Sequence, residues 1–369
     1  MIDNVIDIAS KFKVAGRPIY FEECTAGHIN TTYVVTFDND GVENKYILQK
    51  INTYVFKDPD RLMSNIIGVT AYLHDMIDSQ GGDADRGTLN FVVCNNGKYY
   101  FKSQNGECWR MYHYIDGVVS YSLADTTDLF EKAGKAFGIF QRQLARYDAK
   151  SLYETIPDFH NTPRRYKRFL EVLASCSEEK RSEAENEIQF VLSYESQCGF
   201  IVSAINDGEI PVRVTHNDTK LNNILMDSQS GEGVCIIDLD TVMPGSALYD
   251  FGDALRFAGS TATEDEKDLS KVEFDLEKFR MFTKGFVDAA KESLNDYEIE
   301  LLPFSVMIMT LECGMRFLAD HIDGDVYFKV HHEGHNLDRC RTQFKLVADM
   351  EKKEQQMKDI VKEIIAESK

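Results

Sequence analysis

The hydrophobic pattern of this chain changes near residue 115, and that change limits its fold more than any other feature. Before it, strand-like runs alternate with turns, and one run at residues 60–80 has helical spacing. A short β-rich segment, residues 212–238, interrupts the part that follows. Elsewhere that part has helical periods, at residues 126–146, 162–176, 181–206, 265–295, 301–321 and 338–364.

This order of elements predicts an α+β fold with two lobes. A small antiparallel, β-rich N-terminal lobe is expected at residues 1–112 and a larger helical C-terminal lobe at residues 113–369. In the first lobe "TTYVVTFDNDGVENKYILQKI" predicts a hairpin around "DNDG", and "LNFVVCNN", "GKYYFKS" and "CWRMYHYI" predict three further strands. Because ligands favour clefts between lobes, we expect the functional site there.

The charge balance excludes several classes of partner. The 369 residues carry 41 Lys and Arg against 61 Asp and Glu, a net charge of −20. No basic surplus is available to neutralise phosphates, so neither nucleic acids nor anionic membranes are expected partners. Eight cysteines without a CxxC pair, no signal-peptide layout and no apolar run approaching membrane-spanning length predict a cytoplasmic protein.

The β-rich segment contains "VTHNDTKLNNIL", residues 214–225, which concentrates polar side chains in a strand-and-turn setting. Asp218 and Asn223 have the spacing of the H-R-D-x-x-x-x-N loop of protein kinases. Asp238 follows the strand-like "VCII", at a position where phosphoryl transfer requires a second metal ligand, and Asp240 faces the same way if that strand continues. These residues alternatively only cap turns, but their joint spacing favours a catalytic loop.

On these motifs the chain resembles a known group of enzymes. "VTHNDTKLNNILMD" and "VCIIDLDTVMPGSALYDFGDALRF" are similar to the aminoglycoside phosphotransferase and choline kinase superfamily of small-molecule kinases. Together with "GHINTTY", "YILQKINTYVFKDP" and "LECGMRFLADHIDGDVYFKV", they look most like N-acetylhexosamine 1-kinases over most of the chain. The resemblance implies a protein-kinase-like fold, ATP and Mg²⁺, and phosphorylation of the C1 hydroxyl of GlcNAc or GalNAc.

The resemblance also implies roles for individual residues. Asp218 matches the base that accepts the proton of the anomeric hydroxyl. That hydroxyl is more acidic than an ordinary alcohol, so a nearby carboxylate suffices. Asn223 and Asp238 match the Mg²⁺ ligands, His216 is expected to hold the loop through hydrogen bonds, and Asp250 is expected to fix the loop from behind.

The acceptor pocket is expected near a helix in "LECGMRFLADHI", where Glu312, Arg316 and Asp320 follow one another at i, i+4 spacing. One interpretation is an intrahelical salt-bridge ladder, worth a few tenths of a kcal/mol per pair. By resemblance, Arg316, Tyr327 and Thr241 instead belong to the sugar pocket, with Glu312 near them. An arginine and an aromatic ring suit a neutral sugar whose hydroxyl groups need fixed hydrogen bonds.

The nucleotide side is less well defined by the sequence. "TAGHINTTY", residues 25–33, takes the place of a Gly-rich loop, and Asn30 and Thr31 with backbone N–H groups are its candidate phosphate contacts. A simple polar hairpin turn is the alternative. The phosphate-binding lysine should lie in "YILQKI", where Gln49 aligns with it and Lys50 is the neighbour on the opposite face. Either the register shifts by one residue, or an uncharged donor replaces the lysine.

Adenine is expected where the last strand of the first lobe crosses into the helical lobe, at the backbone of Met111, Tyr112 and His113 and on to Ile115. Two other functions compete: a kinase for another sugar, choline, homoserine or an aminoglycoside, and a catalytically silent kinase-shaped binding protein. Arg316 disfavours cationic acceptors, since those call for an acidic or aromatic cage. The missing strand lysine favours the silent protein. We expect a monomer that binds a small-molecule sugar.

Overall fold

The computed structural model describes residues 2–24, 29–121 and 126–368. The described strands of the first lobe form one antiparallel five-stranded sheet in the order β1-β2-β3-β5-β4. This confirms the predicted β-rich lobe. Its elements are α1 (Ile2–Ala9), β1 (Arg17–Cys24), β2 (Thr31–Asn39), β3 (Val42–Ile51), α2 (Pro59–Ser79), α3 (Ala84–Gly87), β4 (Phe101–Lys102) and β5 (Cys108–His113).

Local sequence explains the hairpin and the long helix of this lobe. Asp40 and Gly41, at the tip between β2 and β3, have φ angles of 54° and 88°. Positive φ at both central residues is the geometry of a two-residue type I′ turn, so the predicted hairpin is confirmed. The predicted helix is α2: the Asp58 side chain accepts from the N–H of Arg61 at 3.1 Å, and Pro59 fits the first turn.

Two of the predicted strands are nearly absent. "LNFVVCNN" makes only isolated bridges, from Phe91 to Tyr112 and from Cys94 to Phe12, and "GKYYFKS" contributes only the two residues of β4. Both runs compete for the outer edge of β5, which is only six residues long. That edge is too short for a second full strand, so the run before β4 remains irregular.

Side chains alternate across the sheet and give it two different faces. Val35, Leu48 and Met111 pack with α1 on the outer face. Ile51 and Tyr112 face the other way and pack with α2 and with residues of the helical lobe. The inner face of the sheet therefore forms the roof of the cleft between the lobes.

The second lobe is mainly helical, as predicted, with a small amount of strand. Its elements are β6 (Val118–Val119), α4 (Thr127–Gln143), α5 (Thr162–Ser175), α6 (Glu178–Glu183), α7 (Glu185–Ser193), α8 (Glu195–Cys198), α9 (Phe200–Asn206), β7 (Arg213–Thr215), β8 (Ile224–Asp227), β9 (Gly233–Ile236), β10 (Met243–Gly245), α10 (Ala247–Ala258), α11 (Leu276–Ala290), α12 (Asp296–Glu300), α13 (Leu302–Asp323) and α14 (His335–Glu367).

Two predicted helices differ from the structure. Residues 181–206 form four short helices, not one. Residues 265–275 are not an extension of α11: the N–H of Phe274 donates to Asp349 at 2.7 Å, and Phe274 bridges to Ser260. The following Asp275 caps α11. Apolar side chains in that stretch are thus buried without an α-helix, by a short 3₁₀ helix at Leu269–Lys271 and the bridged segment that follows it.

The core of the second lobe is built around α13, which packs against α10, α14 and α5. The sequence expectation that no apolar run approaches membrane-spanning length is wrong. Among the described residues, α13 alone is long and apolar enough to cross a membrane, with a mean hydropathy of 1.3. Inside this protein, 78% of that apolar window is buried. The helix is therefore accounted for as a core helix.

The β-rich segment within the helical lobe is present where the sequence placed it. β8 and β9 form a hairpin, and β6 pairs with β8 on its other side. β7 pairs with β10. In the hairpin Ile224 lies opposite Ile236, and the N–H of Ile237 donates to the carbonyl of Asn223 at 2.9 Å. This register brings the residues just before β8 next to those just after β9.

Candidate active site

The loop after β7 is held by a buried histidine. The His216 ring is fully buried and packs against Phe137 and Phe140. Its Nε2 lies 2.9 Å from the carbonyl oxygen of Ile237, and its Nδ1 accepts from the N–H of Asp218 at 3.2 Å. The ring thus joins the loop to the end of β9, in agreement with the role expected for His216.

A buried carboxylate on α10 holds the same loop from the other side. Asp250 accepts from the backbone N–H groups of His216 and Asn217, at 2.9 and 2.8 Å, and from Gln141 Nε2 at 2.7 Å. Asn217 has φ of 66°, a left-handed conformation that an asparagine tolerates. Its Nδ2 donates to the carbonyls of Thr215 and Thr241. These contacts hold a strained turn immediately before Asp218.

Asp218 lies beyond that turn with its side chain 21% exposed and in contact with two loop residues. Lys220 Nζ is 2.6 Å from Asp218 Oδ1. Asn223 Nδ2 donates to the carbonyl and to Oδ2 of Asp218, at 2.7 and 3.3 Å. Burial lowers the pKa of the Lys220 ammonium, but the Asp218 carboxylate more than offsets this, so that pKa lies above its ordinary value. A carboxylate, a cation and a carboxamide therefore converge at one point.

Asp238 completes this group from the end of β9. It has φ of 59° and starts a 3₁₀ turn, so the strand does not continue to Asp240. Burial raises the pKa of Asp238 to about 6, with further contributions from the negative charges of Asp240 and Asp218. A carboxylate destabilised in this way is one that a divalent cation would stabilise. Asn223 Oδ1 and Asp238 fit Mg²⁺, which commonly takes one or two protein oxygens besides phosphate and water.

Asp240 has a different set of partners, which the sequence did not indicate. It forms a buried ion pair with Arg110 Nη1 from β5, and Asn30 Nδ2 donates to its other oxygen at 2.6 Å. Arg110 is 2% exposed. Burial lowers the pKa of its guanidinium, but Asp240 more than offsets this and keeps the group charged. An arginine in the otherwise apolar run "CWRMYHYI" was the only signal of this contact in the sequence.

Of the candidate phosphate contacts, the structure brings some to the cleft and not others. Gln49 lies on the inner face of the sheet, where its Oε1 accepts from Arg110. Lys50 lies on the outer face, 3.3 Å from Glu107 and over the ring of Trp109, and Thr31 is its cross-strand partner there. Asn30 reaches the cleft through Asp240, whereas residues 25–28 of the expected phosphate loop lie outside the described part of the chain.

The backbone expected to meet adenine is engaged by two hydrogen bonds at its outer edge. The Met111 carbonyl accepts from Val92 N–H at 2.8 Å, and the His113 N–H donates to the Asn90 carbonyl at 3.0 Å. Tyr112 is paired with Ile47 on the other edge of the strand. Further along the crossing, the backbone of Ile115 has no hydrogen-bond partner among the described residues.

The i, i+4 series on α13 is not a salt-bridge ladder, so that alternative is wrong. Glu312, 1% exposed, accepts from Thr162 Oγ1 at 2.6 Å and pairs with His160 Nδ1 at 2.9 Å. His160 Nε2 lies 3.3 Å from the Asn217 carbonyl. Asp320 accepts from three backbone N–H groups of the loop after α13. Glu312 thus supports the catalytic loop through His160, a residue that sequence reasoning missed.

Arg316 has no carboxylate within 4 Å among the described residues. Its guanidinium lies 5.5 Å from the ring centroids of both Phe159 and Phe328, and Tyr327 packs its ring against Phe328. Tyr327 is 66% exposed. The hydroxyl of Thr241 is engaged elsewhere, donating to the His216 carbonyl at 2.6 Å. Arg316 and Tyr327 therefore present unpaired polar groups beside aromatic rings, while Thr241 supports the loop.

The chain is similar to known proteins in sequence and in fold. A family model described as the phosphotransferase enzyme family matches residues 95–282, about half of the chain and all of the catalytic loop. A microcompartment-associated aminopropanol kinase is 15% identical with a TM-score of 0.57, covering 97% of this chain and 99% of its own. A choline kinase from Cryptosporidium parvum is 14% identical with a TM-score of 0.57, covering 97% and 98%.

A spectinomycin phosphotransferase, solved in complex with ADP and spectinomycin, is 13% identical with a TM-score of 0.52, covering 94% of this chain and 96% of its own. At these identities the likeness concerns the fold. The two-lobed architecture is thus the one shared by aminoglycoside phosphotransferases and choline kinases, as the sequence predicted.

Proposed function

The chain belongs to the phosphotransferase enzyme family, and from that premise we propose that it is an ATP- and Mg²⁺-dependent kinase that phosphorylates the anomeric hydroxyl of an N-acetylhexosamine. The observation that carries the kinase assignment is the convergence of Asp218, Lys220, Asn223 and Asp238 at the end of the β8–β9 hairpin. A base, a cation and two metal-ligand oxygens are the parts that phosphoryl transfer requires.

In the proposed reaction, Asp218 accepts the proton of the sugar hydroxyl. The hydroxyl oxygen of the sugar bonds to the γ-phosphorus of ATP while the bond between that phosphorus and the leaving ADP breaks. Lys220, 2.6 Å from Asp218, holds the carboxylate in place and adds positive charge beside the transferred group. Bound Mg²⁺ would neutralise charge on the phosphates, held by Asn223 and Asp238. His216 and Asp250 fix the loop so that these side chains need no rearrangement during the reaction.

The choice of an N-acetylhexosamine as acceptor rests on the motif resemblance and on the charge near α13. Arg316 stands without an anionic partner among the described residues and can donate to a sugar hydroxyl or an acetyl carbonyl. Glu312, a buried carboxylate on that helix, is already paired with His160 and Thr162. A cationic acceptor would meet an unpaired cation there, not an acidic cage.

For the nucleotide, we propose that adenine meets the backbone between Met111 and Ile115, where the Met111 carbonyl and the His113 N–H are engaged but the backbone of Ile115 has no partner among the described residues. We place the reaction in the cytoplasm, which supplies ATP. All eight cysteines are free thiols in the structure, consistent with a reducing compartment. The fold relatives include an aminopropanol kinase and a choline kinase, so a small amino alcohol is the second candidate acceptor.

One assay separates these candidates: ATP consumption measured with GlcNAc, GalNAc, glucose, choline, aminopropanol and kanamycin. We expect turnover with the N-acetylhexosamines. Asp218→Asn removes the base but keeps the shape, so kcat should fall by about 10²–10⁴. Asp58→Asn, which preserves the α2 cap, is the matched control and should leave kcat unchanged. Full activity of the Asp218 variant would contradict the mechanism, and turnover with amino alcohols alone would contradict the sugar assignment.

A further inference from the structure

The cleft contains a buried cation that the kinase pattern would place elsewhere. In protein kinases the lysine that contacts the nucleotide phosphates lies on the third strand. In this chain Gln49 takes that inner-face position, and Lys50 points to the outer face. Arg110, directly opposite Gln49 in the β3–β5 register, is the cation on the inner face. The positively charged side chain of the cleft therefore lies on β5 in this chain and not on β3.

Gln49 fixes the direction of the Arg110 guanidinium. Its Oε1 accepts from Arg110 Nε at 3.0 Å and from Nη2 at 2.8 Å, while its Nε2 donates to Thr32 Oγ1 at 3.1 Å. Asp240 accepts from Arg110 Nη1. A guanidinium has five N–H groups, so two of them, one on each terminal nitrogen, remain without a partner in the described ranges. Charged N–H donors of this kind suit phosphate oxygens.

The counter-ion of Arg110 also differs from the kinase pattern, in which a glutamate on the helix of the first lobe pairs with the strand lysine. Here that helix is α2, and its inward polar residue is Asn65, which donates to the carbonyls of Tyr153 and Val242. Asp240 supplies the negative charge instead, from the loop that begins at Asp238. The pair therefore connects the roof of the cleft to the metal-ligand loop.

We propose that Arg110 is the cation that binds the α- and β-phosphates of the nucleotide, with Gln49 and Asp240 as its positioning residues. The inference rests on the proposed function only in taking a nucleoside triphosphate as the phosphate donor. It accounts for the missing strand lysine without a register shift. It also removes the one feature that favoured a catalytically silent protein.

The test is the binding of MgADP and of adenosine, measured by calorimetry and by NMR titration on the full chain. The main variant is Arg110→Gln with Asp240→Asn, which removes both charges and leaves no buried charge unpaired. Its affinity for MgADP should fall by about 10- to 100-fold, since two charge-assisted hydrogen bonds are lost. Its affinity for adenosine should stay within about twofold, because adenosine carries no phosphate.

Two single variants complete the design. Asp240→Asn alone retains the cation but loses one of its positioning contacts, so its MgADP affinity should fall by less than that of the double variant. Lys50→Gln removes the neighbouring cation on the outer face and should leave MgADP binding unchanged. Unchanged MgADP affinity in the double variant would overturn the proposed role of Arg110. It would also be overturned if Asp240→Asn alone lost as much MgADP affinity as the double variant, or if the double variant lost as much affinity for adenosine as for MgADP. Failure of the wild type to bind MgADP would instead overturn the kinase proposal itself.

Discussion

Replacing Asp250 would measure how much one buried carboxylate contributes to the stability of the loop that contains Asp218. Asp250 is 1% exposed; one oxygen accepts from His216 N–H and Gln141 Nε2, and the other accepts from Asn217 N–H. Asp250→Asn preserves the shape but turns one oxygen into a donor. The most favourable orientation keeps the amide oxygen toward His216 and Gln141 and turns the NH₂ group toward the N–H of Asn217.

The free-energy change follows from these contacts. A buried Asn217 N–H without an acceptor costs about 1–3 kcal/mol. The two remaining bonds lose their charge assistance, which is worth about 1 kcal/mol each. In the other direction, burial raises the pKa of Asp250, so the wild-type carboxylate carries a desolvation penalty that the amide avoids. The net destabilisation expected for Asp250→Asn is about 2–3 kcal/mol.

The measurement is the free energy of unfolding in urea, with Asp58→Asn as the matched control. Asp58 caps α2 from an exposed position, and asparagine caps equally well, so the control should lie within about 0.5 kcal/mol of the wild type. In the folded Asp250 variant, kcat should also fall by at least about tenfold, because the peptide before Asp218 loses its anchor. A variant as stable as the control would refute the view that this carboxylate holds the loop.

Two further predictions concern stability. Gly285→Ala would force a Cβ onto the backbone carbonyl of Glu131 where α4 and α11 cross. Its free energy of unfolding, measured by urea titration, should therefore drop by about 3 kcal/mol. The control is Gly199→Ala, at an open site, where the free energy of unfolding should change little. Burial raises the pKa of Glu312, but His160 outweighs it and the pKa lies below its ordinary value. Glu312→Gln should cost about 1–3 kcal/mol at pH 7, because the buried hydrogen bonds to its carboxylate lose their charge assistance. The difference should shrink as pH falls below about 4.3, and a constant difference would contradict the assignment.

The geometry of the polar loop at residues 214–223 could be predicted from sequence because it is set by short spacings. Asp218 and Asn223 belong to one turn, and the β8–β9 hairpin returns the chain to them at Asp238 after a tight connection. Residue identity and spacing therefore determine the site almost without tertiary information. The order of lobes was predictable for a similar reason, since a change from strand to helical periods is a local property.

Contacts between distant segments could not be read in this way. Glu312 and Arg316 have the spacing of an ion-pair ladder, and the same spacing also suits residues with separate tertiary partners. The partner of Glu312 is His160, 152 residues earlier in the chain. Likewise, buried Val272 and Phe274 gave residues 265–275 an apolar spacing typical of a helix, although an extended backbone buries them.

The position of the cleft cation shows the same limit within a single strand. Period-two alternation can assign faces only when one face is polar, and "YILQKI" is apolar on both: Leu48 is buried toward α1, and Ile47 and Ile51 toward the other lobe. Sequence alone therefore could not decide whether Gln49 or Lys50 faces the nucleotide. It also could not reveal that the positive charge lies on the adjacent strand, at Arg110, because the pairing of β3 with β5 is set by tertiary structure. A search for a missing catalytic lysine should accordingly extend to the cross-strand partner of its expected position, before a kinase-like chain is judged silent.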